Sequence, residues 1–413
     1  MRKGIYIVCL VASFMILPSP EAKAKEGRIL FGKTSIIPGI TIQEIYNDNI
    51  YLGSGANNTT ELEEDDWITH IKPGLSLKHD FAGRRGGLNI GYVGDFACYW
   101  ENDDNNWSSH EGFADLKYTA PGGLILEFNN TYKATEDPYG SDNQYKLGVP
   151  KTERWSNTLK TKAGYKFSDR FKAFAFYNYY KQDYDLKQDF TQDYNTNEAG
   201  AGLQVRVLPK TWGFVRYHYG KRDYCSHPAG RGVTEANDAD FDWHRANVGV
   251  TWDTGTKLSG ELNLGYIWKG YDNTTDSTGN IYEDKDTWIA STGISFTAAP
   301  TTTLSLSMTR KLRDSGADSR QYYEDTGIGL GLTQVFLGKI TLSLNGACGR
   351  NNYNSPVGKE KKQDNYLASA KLDYEIQDWL SAGAGYSYFR KDSNYIVDEF
   401  TNNQFTITLR MVY

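Results

Sequence analysis

The stretch Leu258, Ser259, Gly260, Glu261, Leu262, Asn263, Leu264, Gly265, Tyr266, Ile267, Trp268 alternates apolar and polar side chains. Successive side chains of a strand point to opposite faces. One face therefore carries Leu258, Gly260, Leu262, Leu264, Tyr266 and Trp268, and the other Ser259, Glu261, Asn263 and Gly265. The same period sets Leu304, Leu306 and Met308 against Ser305, Ser307 and Thr309, and Ile340, Leu342 and Leu344 against Thr341, Ser343 and Asn345. Ala368, Ala370, Leu372, Tyr374 and Ile376 likewise oppose Ser369, Lys371, Asp373 and Glu375. Charge at every second place of an apolar strand does not fit a sandwich core. It fits a strand with lipid on one side and water on the other.

The connections carry the same message. Tight turns are expected at Phe81–Arg85, Ala120–Gly122, Ser168–Arg170, Leu208–Lys210, Asp253–Thr256, Ala298–Thr301, Leu337–Lys339 and Gln377–Trp379. Between them lie polar stretches at Asn47–Asp65, Glu101–Asn106, Glu136–Thr152, Leu186–Asn195, Ser226–Asp238, Asp272–Asn280, Asp314–Ser319, Asn354–Asp364 and Asp392–Asn402. Eight turns alternating with nine loops join about 18 strands, with about 16 as the alternative, all antiparallel. The fold class is thus all-β: a transmembrane antiparallel β-barrel with short periplasmic turns and long extracellular loops.

Residues 1–24 read as a cleaved leader: Arg2 and Lys3, an apolar run from Ile5 to Leu17, then Ala22-Lys23-Ala24. Residues 25–35 are expected as a short periplasmic segment and 36–413 as the barrel. Loss of Arg2, Lys3, Glu21 and Lys23 takes the formal charge of −6 to −8, which disfavours nucleic acid as a partner. Cys98, Cys225 and Cys348 remain, an odd set without disulfide or zinc spacing. No later apolar run reaches the length of a helical anchor. The last strand sets Phe405, Ile407, Leu409, Met411 and Tyr413 against Thr406, Thr408, Arg410 and Val412, and its aromatic terminus resembles the assembly signal of bacterial outer-membrane barrels. Trp212, Trp252 and Trp379 near the turns, and Trp67, Trp100, Trp107, Trp155, Trp243 and Trp288 near the loops, are expected to form two interfacial belts.

The stretch Pro38-Gly39-Ile40-Thr41-Ile42-Gln43-Glu44-Ile45-Tyr46-Asn47-Asp48-Asn49-Ile50, followed by Asp66-Trp67-Ile68-Thr69-His70-Ile71-Lys72-Pro73-Gly74-Leu75-Ser76-Leu77, resembles an opening hairpin. It is that of the outer-membrane beta-barrel porins associated with bacterial exopolysaccharide synthesis and export. The resemblance in pattern covers nearly the whole chain after the leader, while its specific words are confined to this hairpin. It implies a barrel working with periplasmic polysaccharide-export components, through which a polysaccharide leaves.

If apolar faces meet lipid, the lumen charges follow. Lys160, Lys162 and Lys166 alternate with apolar residues, Arg206 lies between Val205 and Val207, and Arg245 opposes Ala246 and Val248. Arg216 and His218 share a side with Trp212 and Phe214, which leaves that strand's facing ambiguous. These form a candidate cationic stripe that would draw anions. The alternative is solvated cations paired with Glu127, Glu261, Asp373 or Glu375. Phe113, Ile289 and Phe389 fall on polar faces, which points to an inner plug or a shifted register. Gly327, Gly329 and Gly331 are read as thinning the wall beside a bulky neighbour. The acidic loops, such as Glu61–Asp65 and Asn102–Asp104, fit no EF-hand, and no metal or cofactor is expected. Ser108 and His110 share a face without a third member, so no catalytic site is expected.

The expected function is a passive conduit for exopolysaccharide export, in the outer membrane of a Gram-negative cell and assembled by the barrel-assembly machinery among outer-membrane lipids. The alternatives are a general or sugar-selective diffusion porin, and a structural or adhesive barrel.

Overall fold

The computed structural model describes residues 29–55, 63–138, 151–185, 193–224, 239–252, 257–275, 281–314, 322–354 and 360–413. The leader reading of residues 1–24 lies outside them. A short strand, β1 (Ile29–Phe31), pairs with the start of β2 (Thr34–Asn47). There follow β3 (Asp66–Asp80), β4 (Gly86–Tyr99), β5 (Trp107–Thr119), β6 (Leu124–Pro138), β7 (Lys151–Lys166), β8 (Phe171–Tyr184), β9 (Tyr194–Leu208) and β10 (Thr211–Tyr224). The ring continues through β11 (Phe241–Trp252), β12 (Leu258–Tyr271), β13 (Lys285–Ala299), β14 (Thr302–Asp314) and β15 (Tyr322–Phe336). It ends with β16 (Ile340–Tyr353), β17 (Lys362–Gln377), β18 (Leu380–Ser393) and β19 (Phe400–Val412).

Strands β2 to β19 make an 18-stranded antiparallel barrel in sequence order. It closes where β19 pairs with β2, from Gln404↔Asn47 to Val412↔Gly39. Closure leaves no edge strand, so backbone donors and acceptors at membrane depth are satisfied in the ladder. Directly paired residues share a face, and the registers carry one assignment around the ring. Leu262, Leu264, Tyr266 and Trp268 are exposed on the outside, paired on β11 with Val250, Val248, Ala246 and His244. Glu261, Asn263 and Gly265 face the lumen opposite Thr251, Gly249 and Asn247. On β19 the outward residues are Phe405, Ile407, Leu409 and Met411, and Tyr413 follows the strand.

Seven of the expected tight turns fall between strands as read, and the eighth, Asp253–Thr256, lies outside the described residues. At Leu337–Gly338 both residues have positive φ, 52° and 70°, and Lys339 N–H donates to Phe336 O at 3.1 Å. That is the turn whose twist matches a hairpin, although leucine is a poor occupant of its first central position.

The outer belt at the loop end includes Tyr46, Trp67 and Trp100, with successive ring centroids 5.4 and 6.1 Å apart. Tyr132–Trp155 and Tyr266–Trp268 extend it. Three tryptophans expected in the belts face inward instead. Trp107 pairs with Ala97 and packs on His70, Trp212 is 2% exposed opposite Arg206, and Trp243 lies against Gly220. Each occupies a lumen position of its strand, and position along the strand alone did not reveal that.

Candidate functional site

The inward positions of β7 to β11 are even-numbered on β7–β10 and odd-numbered on β11. They carry Arg154, Lys160, Lys162, Lys166, Lys172, Arg206, Arg216, Arg222 and Arg245, and one carboxylate, Glu198. All seven members of the expected stripe face the lumen. The facing of β10 is also settled, since Trp212, Phe214, Arg216 and His218 all point inward.

Most of these cations have partners. Arg216 makes a fork to Glu261, with Nη1–Oε1 at 2.9 Å and Nη2–Oε2 at 2.8 Å. Lys162 Nζ donates to Glu127 Oε1 at 3.2 Å. Glu198 gathers Arg245 Nη2 at 3.0 Å, His218 Nδ1 at 3.2 Å and the Asn178 amide at 2.9 Å. Lys166 donates at 2.6 Å to Asp169 in the β7–β8 turn, which holds that carboxyl below the usual carboxylate range. Arg206 sits over the Trp212 ring at 4.6 Å, its Nε buried without a hydrogen-bond partner. Lys160 is exposed to the lumen and makes no ion pair among the described residues. Partly solvated pairs of this kind contribute at most about 1 kcal/mol each, so they fix side-chain positions more than they stabilise the barrel.

Of the expected acidic residues, Glu127 and Glu261 hold stripe cations. Asp373 pairs with Lys371 of its own strand at 2.9 Å, and Glu375 faces inward opposite Ser381. The acid that serves the stripe most, Glu198, was missed in the sequence, although it alternates visibly with Thr196 and Gly200 on β9.

Four inward phenylalanines share a construction, each lying against a directly paired glycine. A methyl group on Gly164 would come within 2.4 Å of Phe174, on Gly200 within 2.4 Å of Phe176, on Gly249 within 2.5 Å of Phe214, and on Gly91 within 2.3 Å of Phe113. The absent Cβ lets the ring lie along the wall. By strand pairing Phe113, Ile289 and Phe389 all take lumen positions, and Phe389 is covered by Phe400 and by Leu52 of the β2–β3 loop. Gly331, by contrast, faces Ser305 and Asn345 and accommodates no bulky side chain. Ser108 and His110 face outward, where His110 lies 2.8 Å from the Tyr92 hydroxyl.

Between β5 and β10 the cationic wall forms a hollow of about 420 Å³, lined by Asp115, Glu127, Lys160, Lys162, Phe174, Phe176, Asn178, Gln204, Arg216 and His218. Across the ring a second hollow, also about 420 Å³, is lined mainly by small hydroxyl and amide residues, among them Ser305, Ser343, Asn345, Ser369, Ser387 and Thr408. Both have the size of a small-solute pocket.

Residues 29–413 match the family described as Putative beta-barrel porin 2. No curated protein matches the sequence. Among solved structures, the outer membrane protein OpdK of Pseudomonas aeruginosa is similar at 11% identity and a TM-score of 0.45, covering 92% of this chain and 99% of that one. OpdO of the same organism matches at 11% identity, TM-score 0.47, with 93% and 98% covered. OccAB4 of Acinetobacter baumannii matches at 12%, TM-score 0.45, with 92% and 98% covered. The likeness is one of fold. The chain is an outer-membrane, multi-pass β-barrel of the porin kind.

These findings correct the expected exopolysaccharide conduit: the matching family is described as one of porins, and no link to polysaccharide synthesis, or to polysaccharide and export-component partners, is shown. The hairpin words that prompted that expectation have structural work. Asn47 Oδ1 accepts from the Asn402 amide at 2.5 Å, and the Asp48 carboxylate accepts from Asn403 N–H and its amide, each at 2.6 Å. The Asn49 amide donates to Thr401 O at 3.0 Å. Asp66 accepts from the backbone of Trp100, Glu101 and Asn102. The motif fastens the first loop to the closing strand.

Proposed function

Since the chain belongs to this beta-barrel porin family, we propose that it is a diffusion porin for small solutes, with a preference for anions. The observation that carries the reading is the charge of the inner wall: nine cations face the lumen from β7 to β11 against Glu198 alone. Neighbouring acids neutralise some of them at contact range, but an ion moving along the lumen feels the remaining excess. Fixed cations in a water-filled passage lower the barrier for anions and raise it for cations. No bond is made or broken, and the concentration gradient sets the direction.

Purified barrel reconstituted in planar bilayers tests this. The reading expects ohmic channels whose reversal potential in asymmetric KCl reports chloride passing more readily than potassium, and swelling of proteoliposomes in small sugars. Proteoliposomes impermeable to both salt and small sugars would refute the porin; an open channel preferring potassium would refute the role of the wall.

A further inference from the structure

We propose that the hollow between β5 and β10 is a binding subsite for a sugar acid, with the pyranose ring against Phe176 and the carboxylate at Lys160. This rests on the diffusion-porin reading and names the solute class for it.

The wall cations are not equivalent. Arg216 is engaged by Glu261, Lys162 by Glu127, and Arg245 by Glu198. Lys117 stands directly opposite Glu127. Lys160 instead stands between two neutral amides, opposite Asn129 on β6 and Asn178 on β8, and is exposed to the lumen. An ammonium flanked by amides offers a carboxylate one charge-assisted contact and further N–H donors.

Beside it Phe176 opposes Lys162 on one side and Gly200 on the other, lying along the wall where a Cβ would collide with it. The ring leans toward His218, centroids 4.5 Å apart, and lines the same hollow as Lys160, unpaired among the described residues. That juxtaposition matches a solute with a C–H-rich face and a carboxylate. The same hollow supplies the third element, the side-chain amides of Asn129 and Gln204, for which sugar hydroxyls are partners. An aromatic acid would use the first two features and leave these amides unpaired.

The test is current block in the full barrel in planar bilayers, with sodium glucuronate, glucose and sodium benzoate as probes. Open-channel current in KCl reads the porin itself, and interruption of that current reads the subsite. Glucuronate is expected to block more strongly than glucose or benzoate. Lys160→Gln and Phe176→Leu should each weaken that block by about fivefold, with Lys160→Arg retaining it. Open channels with no glucuronate block, a block matched by glucose or by benzoate, or a block unchanged in both Lys160→Gln and Phe176→Leu would overturn the subsite and leave the porin standing. Absence of any channel would overturn both.

Discussion

Replacing Lys160 by glutamate changes the fixed charge of the inner wall by two units at a side chain exposed to lumen water. For a monovalent ion passing about 6 Å away, Coulomb's law in water gives roughly 1.4 kcal/mol for those two units. A Debye length of roughly 8 Å at physiological salt halves this to about 0.7 kcal/mol. An anion loses that amount and a cation gains it, so the difference between them moves by about 1.3 kcal/mol, or roughly ninefold. Lys160→Gln, one unit, should give about a threefold change. The substituted residue lies between Asn129 and Asn178 and breaks no ion pair, so the barrel should assemble as before. Reversal potentials in asymmetric KCl give the permeability ratio of chloride to potassium, which should fall in that order across the wild type, Gln and Glu forms. A ratio that stays within about twofold in Lys160→Glu would refute the premise that this wall sets the field in the ion path.

Three stability predictions follow from the wall and its turns. Gly249→Ala should cost about 1–3 kcal/mol, because the new Cβ would lie 2.1 Å from Leu262 O and 2.5 Å from Phe214, while Gly112→Ala, with nothing within 4 Å, should be near neutral; urea midpoints in detergent compare them. Leu337→Asn should add about 0.5–1 kcal/mol by relieving a leucine at φ 52° that is 93% exposed, read in the same titration. Asp314→Asn should destabilise by about 3–5 kcal/mol, because it strips the partner from Arg222, 2.7 Å away, and from the buried Lys269; retention of the folded form on heating in dodecyl sulfate gels measures the loss.

The barrel was legible because lipid and water impose opposite demands on neighbouring residues. Leu262 and Asn263 could not exchange places without putting an amide in hydrocarbon, so the period of two survives in the sequence. The site was legible in part. The side of Lys160, Arg206 and Arg245 followed from alternation, but Trp212 and Phe214 made the side of Arg216 ambiguous. What seats Phe214 inward is Gly249, on the next strand and 35 positions on by number, and that partner is visible only once the register is known. The same holds for Arg222 and Asp314, which meet from β10 and β14 because the sheet curves. The structural work of Asn47, Asp48 and Asn49 was hidden for a related reason: Asn402 and Asn403 come beside them only on closure of the ring.

The central claim, apolar faces outward around a watery lumen, is tested most directly by spin labels placed singly at residues 261 to 266 of β12. They are introduced through cysteine in a protein whose Cys9, Cys98, Cys225 and Cys348 have been replaced by serine, then reconstituted in bilayers. Accessibility to oxygen, which partitions into lipid, should peak at 262, 264 and 266, and accessibility to a water-soluble nickel chelate at 261, 263 and 265. Accessibilities that fail to alternate, or that alternate with the two reagents exchanged, would contradict it.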